Sequence, residues 1–295
     1  MLKYRAISFP LLLALLAAIF FWPAGGKYLF LVFAPLAAAT AICECCRMIG
    51  RLDLPVYPKI GFAAALILTF AVCAAAVKTD ENFLSCLGDG AVNGFDMLKV
   101  VLISLFAVQW LAVISKKRDI ILGVLITLSV VCSLGALYAL SIVLYPHMVG
   151  KSFCQGGGVS LLLIVILITK AMDTGGYIFG MLSAKLLPGG NHKIVPLISP
   201  KKSWEGFAGG LLLSLAVAYM FYRCCGEYGP EFYLVLGAAL AVGSFLGDIT
   251  ESALKRCCDI KDSGAFIPGM GGAFDVMDSL IYSGIICAVV SKIML

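Results

Sequence analysis

Histidine is almost missing from this chain: only His147 and His192 occur in 295 residues, and charged residues of every kind make up 13%. An ordinary soluble domain carries about a quarter charged residues, so so little charge excludes one. So little histidine argues against zinc or copper centres, which favour imidazole ligands. No internal repeat or low-complexity tract is present. The net charge of +5 is not gathered into a basic stripe, so nucleic acid is excluded as a partner. Cysteine is plentiful, with 12 residues, but Cys43 and Cys46 have CxxC spacing with no second such pair and no histidine pair after it. A closed zinc site needs four ligands, so these cysteines read as small apolar side chains of helices. Many fall on the side assigned below to the cytoplasm, where disulfides are disfavoured.

What the chain has is apolar length. Hydrophobic residues make up 61%, and mean hydropathy is +1.02. Crossing a hydrocarbon core of about 30 Å takes roughly 20 helical residues. Nine apolar runs can do so, at about 7–22, 28–46, 60–77, 97–114, 120–145, 159–171, 207–222, 232–246 and 274–295. The run at 159–171 is short and is expected to continue past Asp173. Lys3 and Arg5 precede the first run as in a signal peptide, but a second span follows at once without a clear cleavage site, so it reads as an uncleaved helix. With the N-terminus inside, the alternate loops hold sixteen of the 22 basic residues, including Arg47, Arg51, Lys116, Lys117, Lys201, Lys202, Lys255, Arg256 and Lys261. By the positive-inside rule the expected fold is an all-α polytopic integral membrane protein of nine transmembrane helices, N-in and C-out. Ten of the 17 acidic residues lie between Asp173 and Asp278. The chain therefore divides into scaffold helices, 1–158, and a catalytic region, 159–295, with its site toward the cytoplasm.

Four segments carry chemistry. In Gly247-Asp248-Ile249-Thr250-Glu251-Ser252-Ala253-Leu254-Lys255-Arg256, the positions of Asp248, Ser252 and Lys255 share one helical face. That face sets a carboxylate, a hydroxyl and an ammonium in a row where ionisable groups need partners. The plainer reading is an interfacial helix end with a solvated charged face. The second segment runs from Lys261-Asp262-Ser263-Gly264 through Pro268-Gly269-Met270-Gly271-Gly272 to Asp275 and Asp278. Its glycines allow close approach of backbone N–H groups to phosphate. Asp275 could equally cap the helix that follows. From Asp248 to Asp278, six acidic residues face three basic ones. Divalent metal relieves that repulsion, and oxygen ligands without histidine point to magnesium. The third segment, Ser199-Pro200-Lys201-Lys202-Ser203-Trp204-Glu205-Gly206, sets two lysines ahead of a span. They suit a polyphosphate, or else anchor the helix to anionic lipid. The fourth, Asp173-Thr174-Gly175-Gly176-Tyr177, sets an aspartate beside two glycines after an apolar run, which packing alone does not explain; the structural alternative is a cap at a broken span. A lone His192 in a loop reads as a solvated residue.

These four segments, in this order, resemble the phosphatidate cytidylyltransferase family. The signature is Ser252-x-x-Lys255-Arg256, Lys261-Asp262 and Pro268-Gly269-x-Gly271-Gly272-x-x-Asp275-x-x-Asp278. The resemblance covers the chain from Asp173 onward; before that only hydropathy matches. It departs twice: Met270 stands where the family has histidine, and Val276 where it has arginine. Methionine and valine offer no strong donor, and the two groups are expected to be dispensable. The resemblance implies transfer of the cytidylyl group of CTP to phosphatidate, giving CDP-diacylglycerol and pyrophosphate. Asp248 and Asp275 are then expected to hold magnesium, with a second, monovalent cation left open. Ser252 and Lys255 support the phosphates or the metal. Lys201, Lys202 and Ser199 meet CTP phosphates, helped by Asp173, Lys261, Gly271 and Gly272; Asp262 and Asp278 stand behind them. The expected setting is a bacterial cytoplasmic membrane, with a homodimer left open. A CTP-dependent lipid kinase and a transporter with intramembrane carboxylates are the alternatives. The paired broken helices of an inverted-repeat transporter are not visible, nor is the motif of transferases that consume CDP-lipids.

Overall fold

The structure is a computed structural model and describes residues 2–22, 26–52, 56–59, 61–63, 65–66, 161–225, 228–264, 271–280 and 282–294. Among these, helix is the regular structure and no strand occurs beyond one isolated bridge, Lys193 to Ser203. Seven α-helices are described: α1 (Leu2–Phe21), α2 (Gly26–Ile49), α3 (Leu161–Leu186), α4 (Trp204–Cys225), α5 (Pro230–Cys257), α6 (Ala273–Met277) and α7 (Ser283–Met294). Among the described residues, four helices are long and apolar enough to cross a membrane: Tyr28–Leu52, Leu162–Leu186, Trp204–Cys225 and Pro230–Cys257. Large apolar side chains such as Leu212 on α4 and Leu246 on α5 are exposed, as the lipid-facing side of such helices requires. The expected runs at 97–114 and 120–145 lie outside the described residues, and the run at 60–77 lies largely outside them.

The chain forms two compact units. One comprises Met1–Pro146 with Cys257–Met277, and the other His147–Arg256 with Asp278–Leu295. In the first, α2 packs against α1 and against the short α6. Its apolar residues Ala38, Ala39, Ala41, Ile42, Cys46 and Met48 are fully buried.

The second unit is built on the packing of α3 against α4. Helix α3 is continuous from Leu161 to Leu186, so Asp173 lies within a helix and does not cap a broken span. The glycines after it serve packing. A Cβ on Gly175 would come 2.8 Å from Gly210 Cα, one on Gly210 would come 2.7 Å from Met172 O, and one on Gly206 would come 2.8 Å from Gly176 O. Each pair of glycines four apart, Gly176 with Gly180 and Gly206 with Gly210, is a small-x-x-x-small seam that lets two backbones meet inside a membrane. Ser214 Oγ donates to Ile168 O across the same interface, at 3.0 Å. Helix α5 lies on α4 through Phe207 and Phe245, with ring centroids 4.8 Å apart, and through the close approach of Gly237 to Ala218.

The last apolar run, expected as one span over 274–295, is broken. Five residues of α6 are followed by a 3₁₀ turn, Asp278–Leu280, and then by the twelve-residue α7. The turn is tied to α3, where Lys170 Nζ donates to Ser279 Oγ at 2.7 Å. It also lies against α5 at Gly247, where a Cβ would strike the Asp278 carbonyl. Cys225, at the end of α4 beside Arg223 of the expected outer side, is disulfide-bonded; the other described cysteines are free.

Candidate functional site

In the second unit, the loop between α3 and α4 turns back on itself before α4 starts. Gly189 and Gly190 take φ of 93° and 83°, a region that disfavours side chains. Ile194 N then bonds Lys202 O at 3.1 Å, and Trp204 N bonds His192 O at 2.9 Å. Ser203, buried, caps α4 by accepting from Gly206 N at 3.2 Å. His192 Nδ1 lies 2.7 Å from Glu205 Oε1 while the imidazole stays exposed, in keeping with a solvated loop residue. Ser199 is used through its backbone: its N donates to Val195 O at 2.8 Å and its O accepts from Lys202 N at 3.2 Å.

These turns deliver Lys202 to α5. Its Nζ lies 2.9 Å from Asp248 Oδ2, and the lysine is only 12% exposed. It also lies 4.8 Å from the Phe245 ring centroid. Lys201, its neighbour, is exposed. Ser252 Oγ donates to Asp248 Oδ1 at 3.4 Å, so the Asp248–Ser252 pair read from helical spacing does meet. Lys255 turns instead to Glu251, with Nζ 2.6 Å from Oε1 and the glutamate 2% exposed.

The approach of the 3₁₀ turn to Gly247 brings Asp278 to the same place. Asp248, Glu251 and Asp278 each offer a carboxylate oxygen within 4.8 Å of the others. Asp278 accepts from Ser279 N. Behind this group, Asp173 Oδ1 accepts from Ser244 Oγ at 3.1 Å, and its Oδ2 pairs with Lys170 at 3.1 Å. Lys170 in turn holds Ser279. Asp173 is thereby linked to the turn that carries Asp278.

Asp275 belongs to the first unit. Its two oxygens each lie 3.1 Å from Ser263 N, and Oδ2 accepts from Gly272 N at 2.8 Å. The bond to Gly272 is the return half of a capping box at the start of α6, so the capping role open in the sequence is filled. Gly271 has φ of 103° and a Cβ there would strike Asp275 Oδ2. Lys261 and Asp262 are exposed nearby in the chain. Met270 lies outside the described residues, while Val276 is partly buried in α6.

Sequence reasoning singled out Asp248, Ser252 and Lys202 but passed over Glu251, Lys170, Ser244 and Glu44. Glu251 had a legible signal, since it stands three residues after Asp248 and four before Lys255. Lys170 had one too, as a cation inside an apolar run three residues from an aspartate.

The chemistry open to this arrangement is that of charge neutralisation. Three carboxylates gathered at one point offer only hard oxygen donors, which fit a divalent cation such as magnesium. Lys202 and Lys255 stand at the edge of the group, as ligands of anionic phosphate would.

Comparison with known proteins agrees with this chemistry. A family model described as the cytidylyltransferase family matches residues 3–294. A phosphatidate cytidylyltransferase of Haemophilus influenzae is 39% identical over 128 residues, which span 42% of this chain and 42% of that protein. One from Staphylococcus aureus is 34% identical over 199 residues, 63% of this chain and 72% of that protein. One from Staphylococcus epidermidis is 30% identical over 246 residues, 78% of this chain and 90% of that protein.

Proposed function

This chain belongs to the cytidylyltransferase family, and from that premise we propose that it transfers the cytidylyl group of CTP to phosphatidate, releasing pyrophosphate and leaving CDP-diacylglycerol in the membrane. The observation that carries the reading is the meeting of Lys202 with Asp248, 2.9 Å apart, beside the Asp248–Glu251–Asp278 group. Two sequence blocks 46 residues apart, one basic and one acidic, supply the two halves of a phosphate-transfer site.

Attack of one phosphate on another brings like charges together, and positioned cations lower that cost. Phosphatidate is already anionic, so no strong base is needed. That accords with a site built without histidine. Lys202 would hold CTP phosphates, with Lys201 and Ser199 in support, and Lys261 stays a candidate phosphate ligand of its own unit. Lys255 and Ser252 hold the attacking or transferred phosphate. Asp248, Glu251 and Asp278 would hold magnesium, which when bound supplies Lewis-acid neutralisation of the phosphoryl oxygens; a monovalent second ion stays within the proposal. Asp275, read from the sequence as a magnesium ligand, is kept here as a catalytic carboxylate, with Gly271 and Gly272 as the backbone around it. Asp173 acts through Lys170 and Ser279 on the turn that bears Asp278. Residues 159–295 form the catalytic region on a scaffold of residues 1–158.

The reaction is tested by its products. Purified protein given labelled CTP, phosphatidate and magnesium should yield CDP-lipid and pyrophosphate. CDP and a newly phosphorylated lipid would instead identify a kinase, and no turnover of CTP would leave the transporter reading.

For topology we keep the nine apolar runs as membrane segments, N-in and C-out, in a bacterial cytoplasmic membrane, the last of them broken at Asp278–Leu280. Two pairings support it, each joining segments that the charge count puts inside. Lys202 meets Asp248, while Arg256 Nε donates to Ile198 O at 3.3 Å. Glu44, just before Arg47, accepts from Ser263, just after Lys261, at 3.1 Å. A cysteine at position 201 in an otherwise cysteine-free variant should react with a membrane-impermeant maleimide only from the cytoplasmic side, and CTP should slow the reaction. Labelling from outside would overturn the topology; labelling indifferent to CTP would leave Lys201 as a lipid anchor.

A further inference from the structure

Glu44 is a carboxylate in the wrong place for a scaffold helix. It sits in α2 among Ile42, Cys43, Cys45 and Cys46, and it is 6% exposed. A charge buried in an apolar span is costly unless hydrogen bonds satisfy it. Its bonds come from the segment that bears Asp275. Oε2 accepts from Ser263 Oγ at 3.1 Å and from Phe274 N at 3.0 Å. These donors stand eleven residues apart in the chain, so one oxygen gathers both ends of the segment.

The glycines follow from the same carboxylate. A Cβ on Gly264 would strike Glu44 Oε1, and one on Gly272 would strike Glu44 Oε2 and Ser263 Oγ. At Gly272, then, the side chain is missing because Glu44 occupies its space, a reason separate from any phosphate. Ser263 joins the two acids: its hydroxyl goes to Glu44 and its N–H to Asp275. Asp275 has its second anchor in Gly272 N, at 2.8 Å, and Gly272 also packs on Glu44.

We propose that Glu44 is a positioning residue for the reaction, fixing Ser263, Gly272 and Phe274 so that the Asp275 carboxylate is held in one orientation. The proposal rests on the reading of Asp275 as a catalytic carboxylate. Glu44 acts as a hydrogen-bond acceptor, and its charge is not the working property. Because one oxygen takes both bonds, a glutamine whose carbonyl lies at that oxygen keeps them.

The test compares Glu44→Gln, Glu44→Ala and Ser263→Ala in full-length protein, by CDP-lipid formation and by hydrogen exchange at the amides of Ser263, Gly272 and Phe274. Glu44→Gln should stay within about threefold of wild type, under 1 kcal/mol of barrier. Glu44→Ala should lose about ten- to a hundredfold in kcat, the scale of a misplaced catalytic group, with KM for CTP nearly unchanged. Its three amides should exchange faster than in wild type or in Glu44→Gln. Ser263→Ala, which keeps the backbone N–H and should fold, is expected to lose kcat in the same direction. Combining it with Glu44→Ala should add less than the product of the two losses. A folded but inactive Glu44→Gln would overturn the proposal by showing that the charge is required. So would unchanged activity and exchange in both alanine variants. Failure of wild type to make CDP-lipid would sink the proposed reaction alone, since the exchange measurement still decides whether Glu44 orders this segment.

Discussion

Asp248→Asn is expected to lower turnover by about a thousandfold or more while leaving expression and detergent behaviour near wild type. Asparagine keeps the size of the side chain and an oxygen to accept from Ser252, 3.4 Å away in the native site. It loses the charge that holds Lys202 at 2.9 Å and that joins Glu251 and Asp278. A cation held among those carboxylates would stabilise developing phosphoryl charge by several kcal/mol, and about 4 kcal/mol is a thousandfold. Asp248 is 38% exposed, so the fold depends little on it and the loss falls on the chemistry. Asp275→Asn should be equally inactive, for a less clean reason. Both Asp275 oxygens share the one backbone N–H of Ser263, and Oδ2 also accepts from Gly272 N. An amide there turns a donor toward a donor, so part of its loss is positional. Steady-state rates at saturating magnesium decide both cases. Near-normal activity of Asp248→Asn would remove it from the reaction, and with it the assignment of the acidic group to metal.

The sequence was most legible where one physical demand acted alone. The apolar runs at 28–46, 159–171, 207–222 and 232–246 reappear as the four long apolar helices, because hydrophobic length in a membrane has few alternatives. Asp248 with Ser252 was legible because helical spacing alone brings them together. Lys202 and Asp248 could each be picked out, but not their pairing: the tight turns at Gly189 and Gly190 that bring Lys202 to α5 leave no periodic trace. Glycines are ambiguous in a sequence because close approach to a ligand and helix packing use the same residue; those at 175, 206 and 210 serve helix packing. The last run looked like one span because hydropathy is blind to a polar turn made by Asp278 and Ser279, which α3 holds through Lys170. Glu44 was invisible because its meaning lies in Ser263 and Phe274, more than 200 residues away.

Glu251 gives the second large effect, and it separates folding from chemistry. It is 2% exposed, its Nζ partner on Lys255 lies 2.6 Å away, and Lys255 is 15% exposed. Removing one member of a buried ion pair typically costs about 3–5 kcal/mol, because the other charge stays in a poor solvent for it. Glu251→Ala should therefore unfold well below wild type in a thermal scan in detergent, and it should be inactive. Replacing the pair by apolar side chains of similar size is often neutral. Glu251→Leu combined with Lys255→Met should then recover most of the lost thermal stability. If Glu251 only braced α5, this double variant would also recover activity. The structure puts a Glu251 oxygen within 4.8 Å of Asp248 and Asp278 oxygens, and Lys255 stands beside it as a phosphate ligand would. We therefore expect a stable double variant with turnover still down by about a thousandfold, roughly 4 kcal/mol of lost transition-state stabilisation. A double variant that is both stable and within tenfold of wild type would return Glu251 and Lys255 to the scaffold, leaving Lys202, Asp248 and Asp278 to carry the chemistry of this unit.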